Sequence, residues 1–288
     1  MTPALTRSIV LNVERRSAVV PRLKTGGSMI QTSRSKKIPT NMKTEKHNPL
    51  SKLVVLSAGG KGGVGKTLTV SAIADFYHEN GIQPAMFDAD VENKQRGSLS
   101  HFFPEAKKLN IRSDRGMDEF IDAAVSTPSR IVLADLGAGS GHDTFKWFDA
   151  MHDELSGVGI RFTAVVTITS SAASVETVFS WAQALGNRVR YLITENRVAG
   201  DDFGYLHDTE PGRAFLSVAK PHIIRLEQRV AELQSELENR GLTARTARLA
   251  MTEARGPYLD RLSSLIRLQG YANRLNTAFS SAHEFLLP

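Results

Sequence analysis

Apolar residues in this chain come in short unbroken runs, separated by longer segments where they recur every three or four positions. Residues 53–57, 130–135, 162–168 and 188–194 are such runs, each strand-sized and rich in β-branched side chains. A fifth, Gln83-Pro84-Ala85-Met86-Phe87, leads into Asp88-Ala89-Asp90, and residues 221–226 supply a short last strand. Between them, residues 68–77 have a helix-compatible composition, and Met117, Phe120, Ile121, Ala124 and Val125 form a helical stripe. Residues 144–155 and 171–185 are two further helices, the second capped by Ser170 or Ser171. Phe145, Trp147 and Phe148 on the first of these are expected to pack against a sheet rather than stack on a base. Unbroken apolar strands alternating with helices predict an α/β fold, a doubly wound and mostly parallel sheet.

The pattern weakens at both ends. Residues 200–212, rich in Asp and Gly, are expected to form a surface loop, and residues 227–239 a helix ending at Gly241. From Tyr258, the residues Leu262, Leu265, Ile266, Leu268, Tyr271, Leu275 and Phe279 keep roughly helical spacing, interleaved with Arg261, Arg267 and Arg274. Residues 1–50 hold no sustained period and are expected to be a largely disordered arm. The chain therefore divides into an arm (1–50), a domain (51–226) and a helical C-terminal extension (227–288).

Charge sharpens that division. Up to Lys52 there are eleven Lys/Arg against Glu14 and Glu45, a formal +9, so within a net +6 the remainder sums to −3. The basic character belongs to the arm, which could touch nucleic acid or simply be solvated. Met42, eleven residues before the first strand, is an alternative start. No run approaches the roughly 18 apolar residues of a membrane span, and without a positively charged start followed by a long apolar core a secretory signal is not expected. Cysteine is absent, which excludes disulfides and thiolate metal sites and suits a reducing cytoplasm.

The chemistry is concentrated after the first strand. Gly60-Lys61-Gly62-Gly63-Val64-Gly65-Lys66-Thr67 fills every fixed position of the phosphate-loop pattern G-x-x-x-x-G-K-[ST], between a strand and a helix. Glycines let several backbone N–H groups converge on a polyphosphate, and the helix adds its positive N-terminal end. In such a loop Lys66 reaches the β- and γ-phosphates and the Thr67 hydroxyl binds Mg²⁺. Asp88 and Asp90 lie 22 and 24 residues after Lys66, at the carboxyl end of a strand, where ligands sit in open α/β sheets. The less favoured alternative is that the pair caps a following helix. Asp135 ends another strand and precedes Leu136-Gly137-Ala138-Gly139-Ser140-Gly141, the place of a carboxylate that holds Mg²⁺ beside a pliable loop.

The extra lysine, Lys61, makes the motif resemble the deviant Walker A loop of the ParA/MinD ATPases, a resemblance that covers residues 52–196. It implies ATP and Mg²⁺ as cofactors and an ATP-dependent homodimer in which Lys61 reaches the partner's nucleotide. It also implies that Asp90 orients the attacking water, that Asp88 supports Mg²⁺ and Lys66, and that Asp135 is the Walker B carboxylate. Gly139 then matches the glycine of the γ-phosphate-sensing loop, and Asn196 the asparagine that hydrogen-bonds adenine. Val91-Glu92-Asn93 stands where many partition ATPases have Pro-Gln, a departure from that branch. Branches built around iron–sulfur clusters are excluded by the missing cysteines.

The leading expectation is a Mg²⁺-dependent ATPase that dimerises around ATP as a switch in DNA partition or intracellular positioning. The alternatives are an accessory ATPase of DNA mobilisation or conjugative transfer, and a weakly hydrolysing nucleotide-dependent adaptor. A protein-tyrosine kinase of the same superfamily is the remaining option, but only Tyr258 and Tyr271 lie in the last quarter. Expected partners are a second copy, non-specific DNA and a regulatory or cargo protein. For the C-terminal helix, packing on the body or on a second subunit is preferred to membrane binding.

Overall fold

Lys52–Ala58 forms β1, and all seven of its residues are buried. In the computed structural model, which describes residues 51–90, 97–139, 141–250 and 258–288, β1 lies mid-sheet. The basic arm, and Val91, Glu92 and Asn93, lie outside the described residues. β1 pairs with β4 (Ile131–Leu136) on one side and β5 (Ile160–Ile168) on the other. β2 (Ala85–Ala89) flanks β4 and carries the two-residue β3 (Lys107–Lys108) at the edge. β6 (Arg190–Asn196) and β7 (His222–Leu226) extend the other side. The order among the described residues is β3-β2-β4-β1-β5-β6-β7, with every pairing parallel. The doubly wound sheet expected from the apolar runs is present.

Side-chain alternation divides the interior in two. Val54 and Leu56 of β1 face a core shared with α3 (Asp114–Ser126), α4 (Gly141–Gly157) and α5 (Ala172–Leu185). Leu53 and Val55 face a second core, shared with α1 (Lys66–Glu79) and with helices from the C-terminal end. Trp147 and Phe148 pack as expected. Phe148 meets Phe162 edge-on with centroids 5.1 Å apart, and Trp147 Nε1 donates to Asp118 Oδ1 at 3.0 Å.

Several elements differ from the sequence expectation. α2 (Leu99–Phe102) and β3 are too short to show a period. The expected loop at residues 200–212 contains α6 (Gly204–His207) and the start of α7 (Glu210–Ala219). Thr209 caps α7, its side chain accepting from Gly212 N, with a proline in the first turn. Gly212 is there for contact, not freedom: a Cβ would stand 1.9 Å from the Leu206 carbonyl oxygen. Ser171 occupies the N-cap of α5 without a side-chain cap bond, while Ser174 Oγ accepts from Thr169 N at 3.0 Å. The helix expected over residues 227–239 starts later, as α8 (Ala231–Arg240), and ends at Gly241 in the left-handed region (φ 63°). α9 (Ala244–Leu249) follows, a short helix that the pattern did not suggest.

The long C-terminal helix is α10 (Leu262–Ser281), followed by α11 (His283–Leu286). Leu268, Tyr271, Leu275 and Phe279 are buried in the core that α10 shares with α1, so this part of the stripe covers the body, whereas Leu262 and Ile266 are exposed. Phe279 lies 5.8 Å from Phe76, and the Tyr77 hydroxyl donates to the Leu286 carbonyl at 2.7 Å. Among the described residues, no helix is long and apolar enough to cross a membrane.

Asp75 of α1 joins this layer to the P-loop helix. Its carboxylate accepts from the Thr243 hydroxyl at 2.7 Å and from Arg245 N at 3.1 Å, at the start of α9. Burial pushes its pKa up to about 6, against the opposing pull of those two bonds. A raised native pKa means that the folded chain holds the proton more tightly, so the contribution is full below about pH 4 and lost as pH rises through 6. Unfolding free energy should therefore fall by up to about 3 kcal/mol from this group between pH 4 and 7. Urea unfolding of wild type and Asp75→Asn at several pH values measures it. Parallel pH profiles for the two proteins would refute the assignment.

Candidate nucleotide site

β1 runs into a loop that only glycine-rich sequence can follow. Gly59, Gly63 and Gly65 have φ of 120°, 74° and 97°, backbone that favours glycine. At Gly65, the N-cap of α1, there is no room either: a Cβ would stand 2.4 Å from Asn196 Nδ2. Gly60, Lys61, Gly62 and Gly63 are exposed and Val64 is buried, so the loop is anchored at its back and open in front. The first turn of α1 holds no acidic residue, leaving its positive end unopposed by a side chain of its own.

Two lysines serve the loop differently. Lys66 is only 8% exposed, and its ammonium donates to the Lys61 carbonyl at 2.9 Å, lying back across the loop. Lys61 is exposed, and its Nζ donates to Ser171 Oγ of the same chain at 3.0 Å.

The carboxylates arrive on neighbouring strands. Asp88 and Asp135 are register partners on β2 and β4. Asp88 accepts from Asp90 N at 3.2 Å and, with its other oxygen, from Ser100 N at 3.0 Å at the start of α2. It does cap a helix. Asp135 is 1% exposed. Its Oδ1 accepts from Ser57 Oγ at 2.9 Å, while Oδ2 is buried without a hydrogen bond of normal geometry. Burial pushes the Asp135 pKa up to about 6, with Asp88 and Asp90 adding to the rise and the Thr67 and Ser57 hydroxyls opposing it. Asp90 stands one residue beyond β2, against Gly137, where a Cβ would lie 2.8 Å from its Oδ1. Gly139 follows with φ of 81°.

Asn196 is the last residue of β6, and its amide is already engaged. Nδ2 donates to the Val64 carbonyl at 2.9 Å, and Oδ1 accepts from Val198 N at 3.3 Å. The structure thus places it as a brace behind the P-loop, a contact that strand-end position alone did not reveal.

A cavity of about 290 Å³ opens over Gly62, Gly63, Gly65, Lys66 and Thr67, with Asp90 and Ala138 on its wall. It brings those expected residues together. Lys61 and Gly60 stand outside it on the exposed front of the loop, and Asp88, Asp135, Val64 and Asn196 are not on its lining. Sequence reasoning missed Ser57, on the Asp135 carboxylate, and Arg112, whose Nη2 donates to the Ala138 carbonyl at 3.3 Å. The signal for Ser57 was a polar residue near the end of an apolar strand. Arg112 carried no signal.

A family model described as the CobQ/CobB/MinD/ParA nucleotide-binding domain matches residues 55–280. The curated Protein MobD of Acidithiobacillus ferrooxidans is 21% identical over 138 residues, 48% of this chain and 61% of that protein. The chain thus covers less than two-thirds of that relative's length. Among solved structures it is similar to chloroplast FtsY from Physcomitrella patens (TM-score 0.44, 14% identity, 79% of this chain and 68% of that one). It is also similar to a nucleotide-binding protein in complex with ADP from Archaeoglobus fulgidus (TM-score 0.42, 19% identity, 74% and 93%). A third is the MinC:MinD cell division complex of Aquifex aeolicus (TM-score 0.42, 15% identity, 78% and 95%).

Proposed function

The chain belongs to the CobQ/CobB/MinD/ParA nucleotide-binding family, and on that premise we propose that it is a Mg²⁺-dependent ATPase. In this reading it dimerises on ATP and acts as a switch in DNA partition or positioning. The observation that carries the reading is the shared cavity of the glycine loop, Lys66, Thr67 and Asp90, beside the paired carboxylates Asp88 and Asp135.

The residues present fit Mg²⁺, a hard cation that takes oxygen ligands. The buried Asp135 Oδ2, without a hydrogen bond of normal geometry, is such a donor, and the Thr67 hydroxyl is close enough to lower the Asp135 pKa. Among the described residues, no three His, Asp or Glu cluster as a complete metal cage. That suits an ion whose shell is completed by phosphate oxygens and water. When bound, the cation supplies charge neutralisation at the phosphates.

The chain's own residues do the rest. Loop N–H groups and the start of α1 hold the phosphates, and Lys66 turns from the Lys61 carbonyl to the transferring phosphoryl group. Asp90 orients the attacking water. Lys61 leaves Ser171 to reach the partner's nucleotide across the exposed front of the loop, which is open to a second copy.

A second reading, an accessory ATPase of DNA mobilisation, accords with the name of the relative Protein MobD. Both readings expect ATP turnover by the purified full-length chain that rises when duplex DNA is added. Stimulation by anionic liposomes alone would move the role to a membrane surface. No phosphate release under any of these conditions would overturn the ATPase reading and leave a nucleotide-dependent adaptor.

A further inference from the structure

The β1–β4 register runs Leu53↔Ile131 to Leu56↔Ala134, so its next step sets Ser57 beside Asp135. The contact is made. Ser57 Oγ donates to Asp135 Oδ1 at 2.9 Å and accepts from Leu136 N at 2.7 Å, with the Leu136 carbonyl a longer acceptor at 3.3 Å. The backbone N–H occupies a lone pair of the hydroxyl, and such chained hydrogen bonds polarise one another. The hydroxyl has one proton, and the shorter of its two acceptors is the carboxylate. Ser57 itself is 1% exposed, so water does not compete for that proton. The consequence is an asymmetric carboxylate. Oδ1 is tied to the neighbouring strand, while Oδ2, equally buried, carries no hydrogen bond of normal geometry, with the Thr67 hydroxyl close to the carboxylate.

We infer that Ser57 is a positioning residue for the metal: its hydroxyl fixes the Asp135 carboxylate so that Oδ2 is the oxygen offered to Mg²⁺. The inference rests on the reading of Asp135 as a metal-facing residue. Without the hydroxyl, the carboxylate could turn about its Cβ–Cγ bond, and its ordering would have to come from the ion. Outer hydrogen bonds of this kind are typically worth 10–100-fold in metal affinity.

The test measures metal dependence apart from turnover. The affinity of a fluorescent ATP analogue is followed in EDTA and along a Mg²⁺ titration, with Mn²⁺ binding in the presence of ADP followed by electron paramagnetic resonance. Ser57→Ala should raise half-saturating Mg²⁺ and the Mn²⁺ dissociation constant about tenfold or more. Affinity for the nucleotide in EDTA should stay within about twofold, since no phosphate-binding group is removed. Should Ser57→Ala fail to fold, the near-isosteric pair Ser57→Thr and Ser57→Val decides the matter. The threonine, which keeps the hydroxyl, should hold wild-type metal affinity, and the valine should lose it. Asp135→Asn is the reference. If it loses metal affinity while Ser57→Ala does not, or if Thr and Val behave alike, the inference alone falls. If Asp135→Asn itself titrates as wild type, the metal-facing reading falls and the inference with it.

Discussion

Lys66→Ala should lower ATP affinity by at least about 100-fold, or ~2.7 kcal/mol. The lysine is the cation set deepest in the loop, only 8% exposed, and its ammonium is held at the Lys61 carbonyl. That neutral acceptor can be exchanged for an anionic phosphate oxygen, which adds the attraction of opposite charges to a hydrogen bond the ammonium already makes. Alanine leaves the glycine N–H groups and the end of α1, which supply partial charges only. Lys61 cannot substitute from its own chain, because it lies on the exposed front, bonded to Ser171. Calorimetric titration with Mg²⁺ and ATP measures the effect, with circular dichroism to establish that the fold is kept. Affinity within about threefold of wild type, under 1 kcal/mol, would sink the phosphate-binding role.

What the sequence made legible followed from how local each determinant was. β1, β4 and β5 were legible because strands buried on both faces must be apolar throughout, and the motif set a loop between β1 and α1. α6 and the start of α7 were not. Their Asp and Gly content signals a turn, while the reasons for helix are tertiary: Leu206 is buried in the core, and Gly212 presses on its carbonyl. α2 and β3, at four and two residues, are shorter than any window that could reveal a period. For the site, residue types at the ends of β2, β4 and β6 were readable, but their present contacts were not. The Ser57 bond to Asp135 joins residues 78 apart, and the Asn196 bond to Val64 joins residues 132 apart. Each needs the strand order, which the pattern did not give.

The three carboxylates also differ in where they stand, and that difference singles out Asp90. Asp88 has both oxygens on backbone N–H groups, one of them at the start of α2. Asp135 is tied to Ser57 and wholly buried. Asp90 is half-buried, stands beyond the end of its strand, and is the one of the three that lines the cavity with Lys66 and Thr67. A carboxylate on the cavity wall beside Lys66 and Thr67 is placed to accept from a water held against the phosphates. Asp90→Ala should therefore keep ATP affinity within about threefold while slowing turnover about 100-fold or more, the usual scale for a lost positioned base. The ATP-bound form should then accumulate, so that size-exclusion chromatography with ATP shows more dimer than wild type under the same conditions. Turnover at the wild-type rate would move water orientation to Asp88, and Asp88→Asn would be measured in its place. A joint loss of turnover and ATP affinity would mark Asp90 instead as part of the phosphate and metal cradle.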